Sequence, residues 1–418
     1  MTPRERFTEF VRPYYLRWLY FPLFPQRRPP HFSACWNYPR RDTLPPGGLS
    51  PGVLFYPMND WHGRLQRGQH LARAFARQAR RVVYLNPHFG RQFETVPLGE
   101  IRERLCQLGE NLFELHPRLE REPVFHHRPL SPRESRAIAG AVERTVAGSE
   151  WVQIVSYPTW FDAARELRDR HGWPIVYDCH DLLRGFGNVA REIVDREAHA
   201  LRESDLAVFS SDRLLRAFLA SEPSLQGKAR LLRNAVDFEL FAGAHASAAA
   251  VAVYIGALER WFDIEALAEA ARSNPQCLFL LVGRVDALEV RRLSECPNVE
   301  LTGEVPYAKA PEAMARGRIG MIPFRVNELT LATNPIKLYE YFSLGMPVVS
   351  TPLPEVEAFG DLVYIGRTPA EFAVAIQKAL AEEDPGKRGR RREIAARESW
   401  AARARALAAA FEAVDRHA

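Results

Sequence analysis

Lysine and cysteine are both scarce in this 418-residue chain, which has five of each. Almost all of the 56 basic residues are therefore arginines, so a lysine stands out wherever it occurs. The five cysteines are odd in number and widely spaced, without a C-x-x-C pair. This spacing argues against a disulfide framework and against a structural zinc site, and it is typical of proteins from a reducing compartment.

Long apolar runs are lacking as well. The first ten residues, MTPRERFTEF, have neither the apolar core nor the small-residue cleavage site of a secretory signal. The longest apolar stretch near the N-terminus, residues 14–24, is interrupted by Arg17 and Pro22 and is shorter than the roughly 20 residues that cross a bilayer. We therefore expect a cytoplasmic protein that does not cross a membrane.

Excess positive charge is confined to one end of the chain. The formal net charge is +5; residues 1–42 hold eight arginines against three acidic residues, whereas the remainder is balanced with 48 of each sign. The pI of about 9.0 therefore describes an N-terminal arm and does not indicate a nucleic-acid-binding protein. Aromatic residues and arginines alternate over residues 12–28, which predicts an anchor on an anionic membrane surface. Packing of the arm on the first domain or on a partner chain is the alternative.

From residue 51 onward, a short apolar run, a turn and an amphipathic helical stretch alternate, which predicts parallel sheets with crossover helices. The sequence therefore predicts an α/β protein with two doubly wound, Rossmann-like domains that face each other across a cleft. The predicted segments are an arm at 1–50, a first domain at 51–242, a small-residue linker at 243–250, a second domain at 251–395 and a C-terminal helix at 396–418 that returns to the first domain. The predicted strands lie at 53–56, 81–86, 112–115, 152–156, 175–179, 206–210 and 230–233, and then at 251–256, 277–283, 299–303, 318–323, 346–351 and 361–366. A single last helix is expected over about 388–414.

Ligands of open parallel sheets bind beyond the carboxyl ends of the strands, so the residues just after each strand are the candidates for a site. After the first predicted strand, Gly63 precedes a helix whose first turn carries Arg64 and Arg67. Free amides, the helix dipole and two guanidinium groups suit an anion such as a diphosphate, on the acceptor side of the cleft. A solvated helix face would explain the two arginines equally well.

Three ionisable groups, Asp178, His180 and Asp181, lie at the end of the strand predicted at 175–179. A turn at a strand end needs at most one capping residue, so this density indicates a catalytic site. His180 or Asp181 would act as a general base or bind a polyhydroxylated substrate. Alternatively, Asp181 caps the next segment and His180 is a neutral, hydrogen-bonded histidine.

Lys337 and Glu340 stand three residues apart in the first turns of a predicted helix, so both project from its N-terminal end. A lysine beside free amides suits a diphosphate, and a carboxylate one turn later suits the two hydroxyls of a ribose. A simple surface pair is the alternative interpretation.

Further donor-site candidates follow the first strands of the second domain. Gly256 and Gly283 would allow the backbone to approach a ligand closely, although strand-end turns favour glycine for conformational reasons alone. Arg260 and Arg284 are candidates for contacts with a diphosphate or a base.

Several segments of the second half resemble the donor domain of GT-B glycosyltransferases, in particular the group related to families 4 and 1 that builds bacterial surface polysaccharides. They are RNAVDFELF (233–241), VYIGALERWFD (253–263), FLLVGR (279–284), VELTGEVPY (299–307), the P-x-K-x-x-E-Y segment with LGMPVVST (335–351) and SWAARA (399–404). The first half resembles the same group through WHGRLQRGQHLA and VYDCHD. The resemblance implies a donor nucleotide in the second domain, an acceptor mainly in the first, and no metal or other cofactor.

The resemblance also assigns roles within the donor site. Glu340 aligns with the second glutamate of the family's Glu-x7-Glu motif, which holds the ribose, whereas the position of the first glutamate is occupied by Ala332. Glu328, Thr333 and Asn334 are then the candidates for binding the hydroxyls of the donor sugar, and both retaining and inverting stereochemistry stay open.

Together these patterns predict transfer of a sugar from a nucleotide diphosphate sugar to a lipid-linked or growing glycan acceptor. Lys337, with Arg260, Arg284 or Arg64, would stabilise the charge on the leaving diphosphate. Two alternatives share the architecture: a nucleotide-sugar epimerase, and a non-catalytic GT-B subunit that acts as a binding partner, for which Ala332 is the hint.

Overall fold

The computed structural model describes residues 39–45, 50–86, 104–117, 128–146 and 149–415, together with Tyr15, Leu19 and Leu23. The arm predicted at 1–50, with its membrane anchor at 12–28, lies largely outside the described residues. In the described part of the chain, no helix has both the length and the apolar character needed to cross a membrane.

The first domain is built on a mainly parallel sheet, and its strands in chain order are β1 (Arg40–Arg41), β2 (Gly52–Tyr56), β3 (Val82–Leu85), β4 (Arg104–Gly109), β5 (Leu112–His116), β6 (Trp151–Val155), β7 (Ile175–Cys179), β8 (Leu206–Phe209) and β9 (Ala229–Leu231). Within the described residues the spatial order is β1-β4-β5-β3-β2-β6-β7-β8-β9. In this spatial order, the seven strands from β5 through β3 and β2 to β9 are parallel to one another. Strand β4 runs antiparallel to β5, and β1 runs antiparallel to β4. All five residues of β2 are buried because helices cover both faces of the sheet.

The helices that connect these strands are α1 (Arg67–Arg77), α2 (Pro132–Val146), α3 (Phe161–His171), α4 (Arg191–Glu203) and α5 (Asp212–Ser221). The short helix α6 (Phe238–Phe241) follows β9, and its Phe241 is buried in the core of the second domain. Local sequence signals set several helix ends. The Ser211 side chain accepts a hydrogen bond from the Leu214 amide at the start of α5, and Gly172 ends α3 with a left-handed φ of 73°.

The second domain has a fully parallel sheet, and its strands are β10 (Val251–Ile255), β11 (Leu278–Val282), β12 (Val299–Gly303), β13 (Ile319–Ile322), β14 (Val348–Ser350) and β15 (Val363–Ile365). The spatial order among these strands is β12-β11-β10-β13-β14-β15. The connections therefore reverse direction between β10 and β13, which is the topological switch point of a doubly wound fold. Its helices are α7 (Ile264–Ser273), α8 (Ala310–Ala315), α9 (Glu328–Leu331), α10 (Ile336–Ser343), α11 (Pro354–Glu357), α12 (Pro369–Leu380) and α13 (Pro385–Arg397).

The last helix, α14 (Trp400–Asp415), returns to the first domain, as the sequence predicted. Its apolar face contributes Trp400, Leu407 and Phe411 to a buried cluster that also contains Val53 of β2 and Phe75 of α1. The prediction of one continuous last helix was wrong, because α13 ends at Arg397. The backbone of Val236 pairs there with Glu398 and Trp400, and these bonds hold the chain as it crosses between the domains.

The two-domain α/β architecture predicted from the sequence is confirmed, and each predicted strand matches an observed one to within two residues at either end. Strand β4 was not predicted, because its residues RLCQLG mix polar and apolar side chains and are only partly buried. Asn111, with a φ of 56°, turns β4 back onto β5.

Candidate active site

The candidate site lies where the switch points of the two sheets face each other. In the first sheet, the connections reverse between β2 and β6, and the loop at 57–66 that follows β2 reaches toward the second domain. The Nε of Arg64 in this loop donates to Glu304 Oε1 across the cleft at 3.1 Å. Gly187 of the first domain lies close to Arg260 of the second, since a Cβ placed on Gly187 would lie 3.2 Å from Nη1 of Arg260. Residues of the first domain therefore contact the donor-side loops directly.

Lys337 lies above the carboxyl end of β10, on the first turn of α10. Its Nζ is 5.3 Å from the centre of the Tyr254 ring and 4.9 Å from that of Phe324, so two aromatic faces hold the ammonium. Burial lowers the pKa of Lys337, an effect that Glu340 opposes and Arg64 reinforces. The partly dehydrated ammonium lies beside these rings with Glu340 one turn away, and such a cation suits a phosphate group.

Glu340 lies one turn further along α10 and is 6% exposed. Burial raises the pKa of its carboxyl, while Tyr307 and the Lys337 ammonium act in the opposite direction. Glu340 is buried and Lys337 is partly buried, so a solvated surface pair is excluded. Tyr307, which sequence reasoning missed, faces this carboxyl from the segment that follows β12.

The glycines at the strand ends have different roles. Gly256 has a φ of 140°, which residues with a side chain rarely adopt, so the backbone conformation itself requires glycine there, as the conformational alternative expected. A Cβ on Gly283 would lie 1.8 Å from the backbone oxygen of Gly256. Gly283 is therefore required by the close contact between the two strand-end loops.

The other arginines predicted for the donor side lie near the cleft surface. Arg284 is 62% exposed, and its Nε donates to Asp286 at 2.6 Å. Arg260 is exposed and Arg64 is partly exposed. All three guanidinium groups are accessible to a ligand, although Arg64 and Arg284 already have carboxylate partners.

The predictions for Arg67 and Asp178 need correction. Arg67 begins α1, is 2% exposed, and its Nε donates to both carboxylate oxygens of Asp178 at 2.9 and 3.0 Å. Its Nη1 donates to Asn234 Oδ1 at 3.0 Å. Asp178 is fully buried, because strand alternation turns its side chain toward α1 rather than toward the cleft. The two charges neutralise each other, so neither is available to a diphosphate or for proton transfer.

His180 and Asp181 lie just beyond the end of β7. The Nδ1 of His180 is 3.1 Å from the backbone oxygen of Asp178, and a carbonyl can only accept, so Nδ1 carries the proton. In the neutral ring, Nε2 then keeps its lone pair, 3.8 Å from Asp181 Oδ2. Burial raises the pKa of Asp181, while His180 and Arg67 lower it. In this tautomer, the geometry directs the Nε2 of His180 toward the Asp181 carboxyl.

Asn334 also needs correction, because its side chain joins the two domains. It is 1% exposed; its Oδ1 accepts from the Asn234 amide at 2.9 Å, and its Nδ2 donates to Glu355 at 2.8 Å and to Tyr339 at 3.0 Å. These bonds use the amide fully, so it is not free to bind a sugar hydroxyl.

The other candidates for the sugar hydroxyls lie on or just after α9. Glu328 forms an exposed ion pair with Arg184 of the first domain, and the Thr333 hydroxyl donates to the backbone oxygen of Leu329. The backbone oxygen of Ala332 accepts from Ser211 Oγ at 2.6 Å. This segment, which precedes α10 in the chain, therefore contacts the first domain through Arg184 and Ser211.

Solved structures with this architecture cover nearly the whole chain. A sucrose-phosphate synthase from Thermosynechococcus elongatus matches with a TM-score of 0.67 and 17% identity, over 88% of this chain and 100% of that one. HepE from Anabaena, in complex with UDP and glucose, matches with a TM-score of 0.61 and 16% identity, over 87% of this chain and 100% of that one. The fold is thus that of GT-B glycosyltransferases.

Sequence comparison narrows the class further. Residues 249–382 match the family model described as Glycosyl transferases group 1. TuaH of Bacillus subtilis (strain 168), whose name describes a glycosyltransferase of teichuronic acid biosynthesis, is 27% identical over 307 residues, which are 66% of this chain and 75% of TuaH. The findings support a group 1 glycosyltransferase, and the resemblance seen in the sequence is confirmed.

Proposed function

We propose that the protein transfers a hexosyl group from a nucleoside diphosphate sugar to a hydroxyl of a lipid-linked or growing glycan, in the synthesis of a surface polysaccharide. The observation that carries the proposal is the pair of the partly buried Lys337 and the buried Glu340 at the switch point of the second sheet, with Arg64 facing it from the first domain. The similarity to TuaH supports the polysaccharide as the product class.

The side chains present account for the charges that such a transfer creates. The bond between the sugar C1 and the diphosphate oxygen breaks, and negative charge develops on the diphosphate. The Lys337 ammonium would stabilise that charge, with Arg64, Arg260 and Arg284 at the cleft surface, since fixed cations act most strongly where water is excluded. Glu340 would accept hydrogen bonds from the ribose hydroxyls.

The acceptor side completes the transfer. A new bond forms between C1 and the acceptor oxygen, whose proton passes to a base. His180 is the candidate base because its Nε2 keeps its lone pair and lies beside Asp181. The transfer as proposed uses these side chains without a catalytic metal. Because Ala332 replaces the family's first glutamate, we expect other residues to bind the hydroxyls of the donor sugar. Analysis of the product tests whether the configuration at the sugar C1 is retained.

Donor binding tests the proposal without knowledge of the acceptor. We expect one of a panel of UDP-, GDP- and dTDP-sugars to raise the melting temperature, since a ligand at 100 times its Kd adds about 2.7 kcal/mol of stability. In Lys337→Ala this shift should be lost, and donor turnover should fall by about 100-fold or more.

The matched control is Lys309→Ala, because Lys309 is 66% exposed and pairs with Glu312 at the surface. It should leave both measurements unchanged. No shift with any nucleotide sugar, or equal behaviour of the two lysine variants, would refute the proposal. A thermal shift without turnover in the wild type would instead favour the non-catalytic subunit that Ala332 hints at.

A further inference from the structure

Three metal-ligating side chains converge in the first domain. They are His62, in the loop after β2, and Glu114 and His116, both on β5. Their ligand atoms all lie within 4.8 Å of one another. His62 Nε2 lies 2.7 Å and His116 Nε2 lies 3.1 Å from the same carboxylate oxygen, Glu114 Oε2.

The sequence pattern explains how β5 supplies two of the three ligands. Glu114 and His116 are two residues apart on a strand, so both side chains point to the same face of the sheet. The third ligand comes from the loop that begins at the neighbouring switch point, 52 residues earlier in the chain. The spacing of the cysteines argued only against a zinc site that is built from cysteines. Two histidines and a glutamate form a different ligand set.

A second layer of polar groups holds the carboxylate. The Nδ2 of Asn86, at the end of β3, donates to the other oxygen of Glu114 at 2.6 Å and to Asp60 Oδ1 at 3.1 Å. Asp60 Oδ1 also accepts from the backbone amide of His62 at 2.9 Å. Glu114 is fully buried and therefore needs compensation for its charge from within the protein. Outer groups that orient the ligands in this way are typical of metal sites.

We infer that His62, Glu114 and His116 bind a divalent zinc ion. Two imidazoles and one carboxylate are a common zinc ligand set, whereas magnesium and calcium prefer oxygen ligands alone. Bonds of about 2.0–2.2 Å in a tetrahedral site place ligand atoms on the order of 3.3 Å apart. The observed 2.7 and 3.1 Å need to open by only a few tenths of an ångström to reach this separation. Water would fill the fourth position.

The site would act on the loop at 57–66. His62 is two residues before Arg64, which contacts Glu304 of the second domain, so a metal at His62 ties the arginine's loop to β5. The zinc ion holds the loop in this proposal and takes no part in the sugar transfer. Its binding can be measured without any nucleotide sugar, so the test is independent of the proposed function.

Zinc content and affinity test the inference. We expect full-length protein, stripped with chelator and then equilibrated with zinc, to retain one ion per chain by mass spectrometry of the metal. His62→Ala and His116→Ala should each weaken zinc affinity by at least about tenfold, as measured by competition with a chromophoric chelator. His171→Ala is the control, because this histidine also pairs with a glutamate, Glu143 at 2.6 Å, but lies at the surface.

Equal zinc binding by wild type, His62→Ala and His116→Ala would overturn the inference, as would the absence of tight zinc binding by the wild type. If the alanine variants fail to fold, cobalt substitution of the wild type decides the question. We expect the visible d–d absorption of a four-coordinate site, and its absence would equally overturn the proposal.

Discussion

Asp178 and Arg67 show how burial changes the role of a charged residue. In the sequence, both are ionisable residues near the ends of strands, and nothing there distinguishes them from residues that bind a ligand. In the fold, each is the partner of the other, with Asn234 as a further acceptor for the guanidinium. Whether a charged side chain is a site residue or a structural one therefore depends on where a strand or helix turns it, which sequence patterns specify poorly.

Replacing Asp178 by alanine should destabilise the protein by about 3–5 kcal/mol, because it leaves the Arg67 guanidinium buried without its counter-charge. Urea unfolding measures the loss. The matched control is Asp195→Ala, since Asp195 is 66% exposed and pairs with an exposed arginine, where pairs are worth about 0–1 kcal/mol. Equal stability losses in the two variants would contradict the buried ion pair.

Glu197 of α4 should make stability depend on pH. It is 5% exposed, and burial raises its pKa to about 8, although hydrogen bonds from Tyr177 and Cys179 act in the opposite direction. The folded protein therefore holds a proton that the unfolded chain releases near its ordinary pKa of about 4.3. Stability contributed by this proton is complete below that value and declines as the pH rises to about 8.

Glu197→Gln, which keeps the shape of the side chain and cannot ionise, should escape this decline. We expect its free energy of unfolding to gain on that of the wild type by up to about 1.4 kcal/mol per pH unit between roughly pH 5 and pH 8. Glu192→Gln, on the exposed face of the same helix, is the control and should follow the wild type. Parallel profiles for all three proteins would rule out a buried, protonated Glu197.

At the scale of elements, the sequence patterns predicted most of the fold. Apolar runs predicted the central strands of the second sheet, such as β11 and β13, because those strands are covered on both faces. Strand β4 has no such run and was missed. The patterns also located Lys337 and Glu340, since their spacing on one helix is a local property. The Asn234–Asn334 bond joins residues 100 positions apart, and nothing in the local sequence of either asparagine predicts it.

The returning helix α14 should contribute strongly to the stability of the first domain. Trp400 is 3% exposed, and its ring stacks on His70 with centres 4.9 Å apart. We expect Trp400→Ala to cost about 3–5 kcal/mol, through lost burial and the cavity left behind. Val374→Ala, at a 46% exposed position on α12, should change stability by less than about 0.5 kcal/mol. Thermal unfolding of both variants checks this, and a small effect at Trp400 would refute the role of α14.

At the scale of the whole molecule, the two domains meet through apolar contacts at Leu329 and Ala332 and through several polar contacts. Ser211 bonds to Ala332, and Glu355 of the second domain accepts from the Asp212 amide at 2.9 Å and from Arg233 at 2.7 Å. Near the opening of the cleft, Arg64 and Arg184 form partly exposed ion pairs with the second domain. Exposed ion pairs are weak, so they can separate when a substrate enters the cleft. The hydrogen bonds at Ser211 and Glu355 meanwhile hold the two domains in their relative positions.

The excess positive charge lies within the first 42 residues, whereas the basic and acidic residues of the rest of the chain are equal in number. We propose that residues 12–28 hold the protein at the inner face of the cytoplasmic membrane, beside lipid-linked acceptors. At about 1 kcal/mol per arginine near an anionic surface, the four arginines there give reversible attachment. Full-length protein should float with anionic liposomes and not with neutral ones. Equal flotation of a variant lacking residues 1–38, which keeps β1, would contradict the anchor.

The return of α14 to the first domain also affects how the protein is made. On the ribosome, β2 and α1 emerge early, but the apolar residues that cover Phe75 arrive only with Trp400 and Phe411. At 5–20 residues per second, that surface stays bare for roughly 15–65 s. The first domain is thus complete only after residues 400–411 have been made, and a chain terminated before residue 400 exposes a patch that chaperones and proteases recognise.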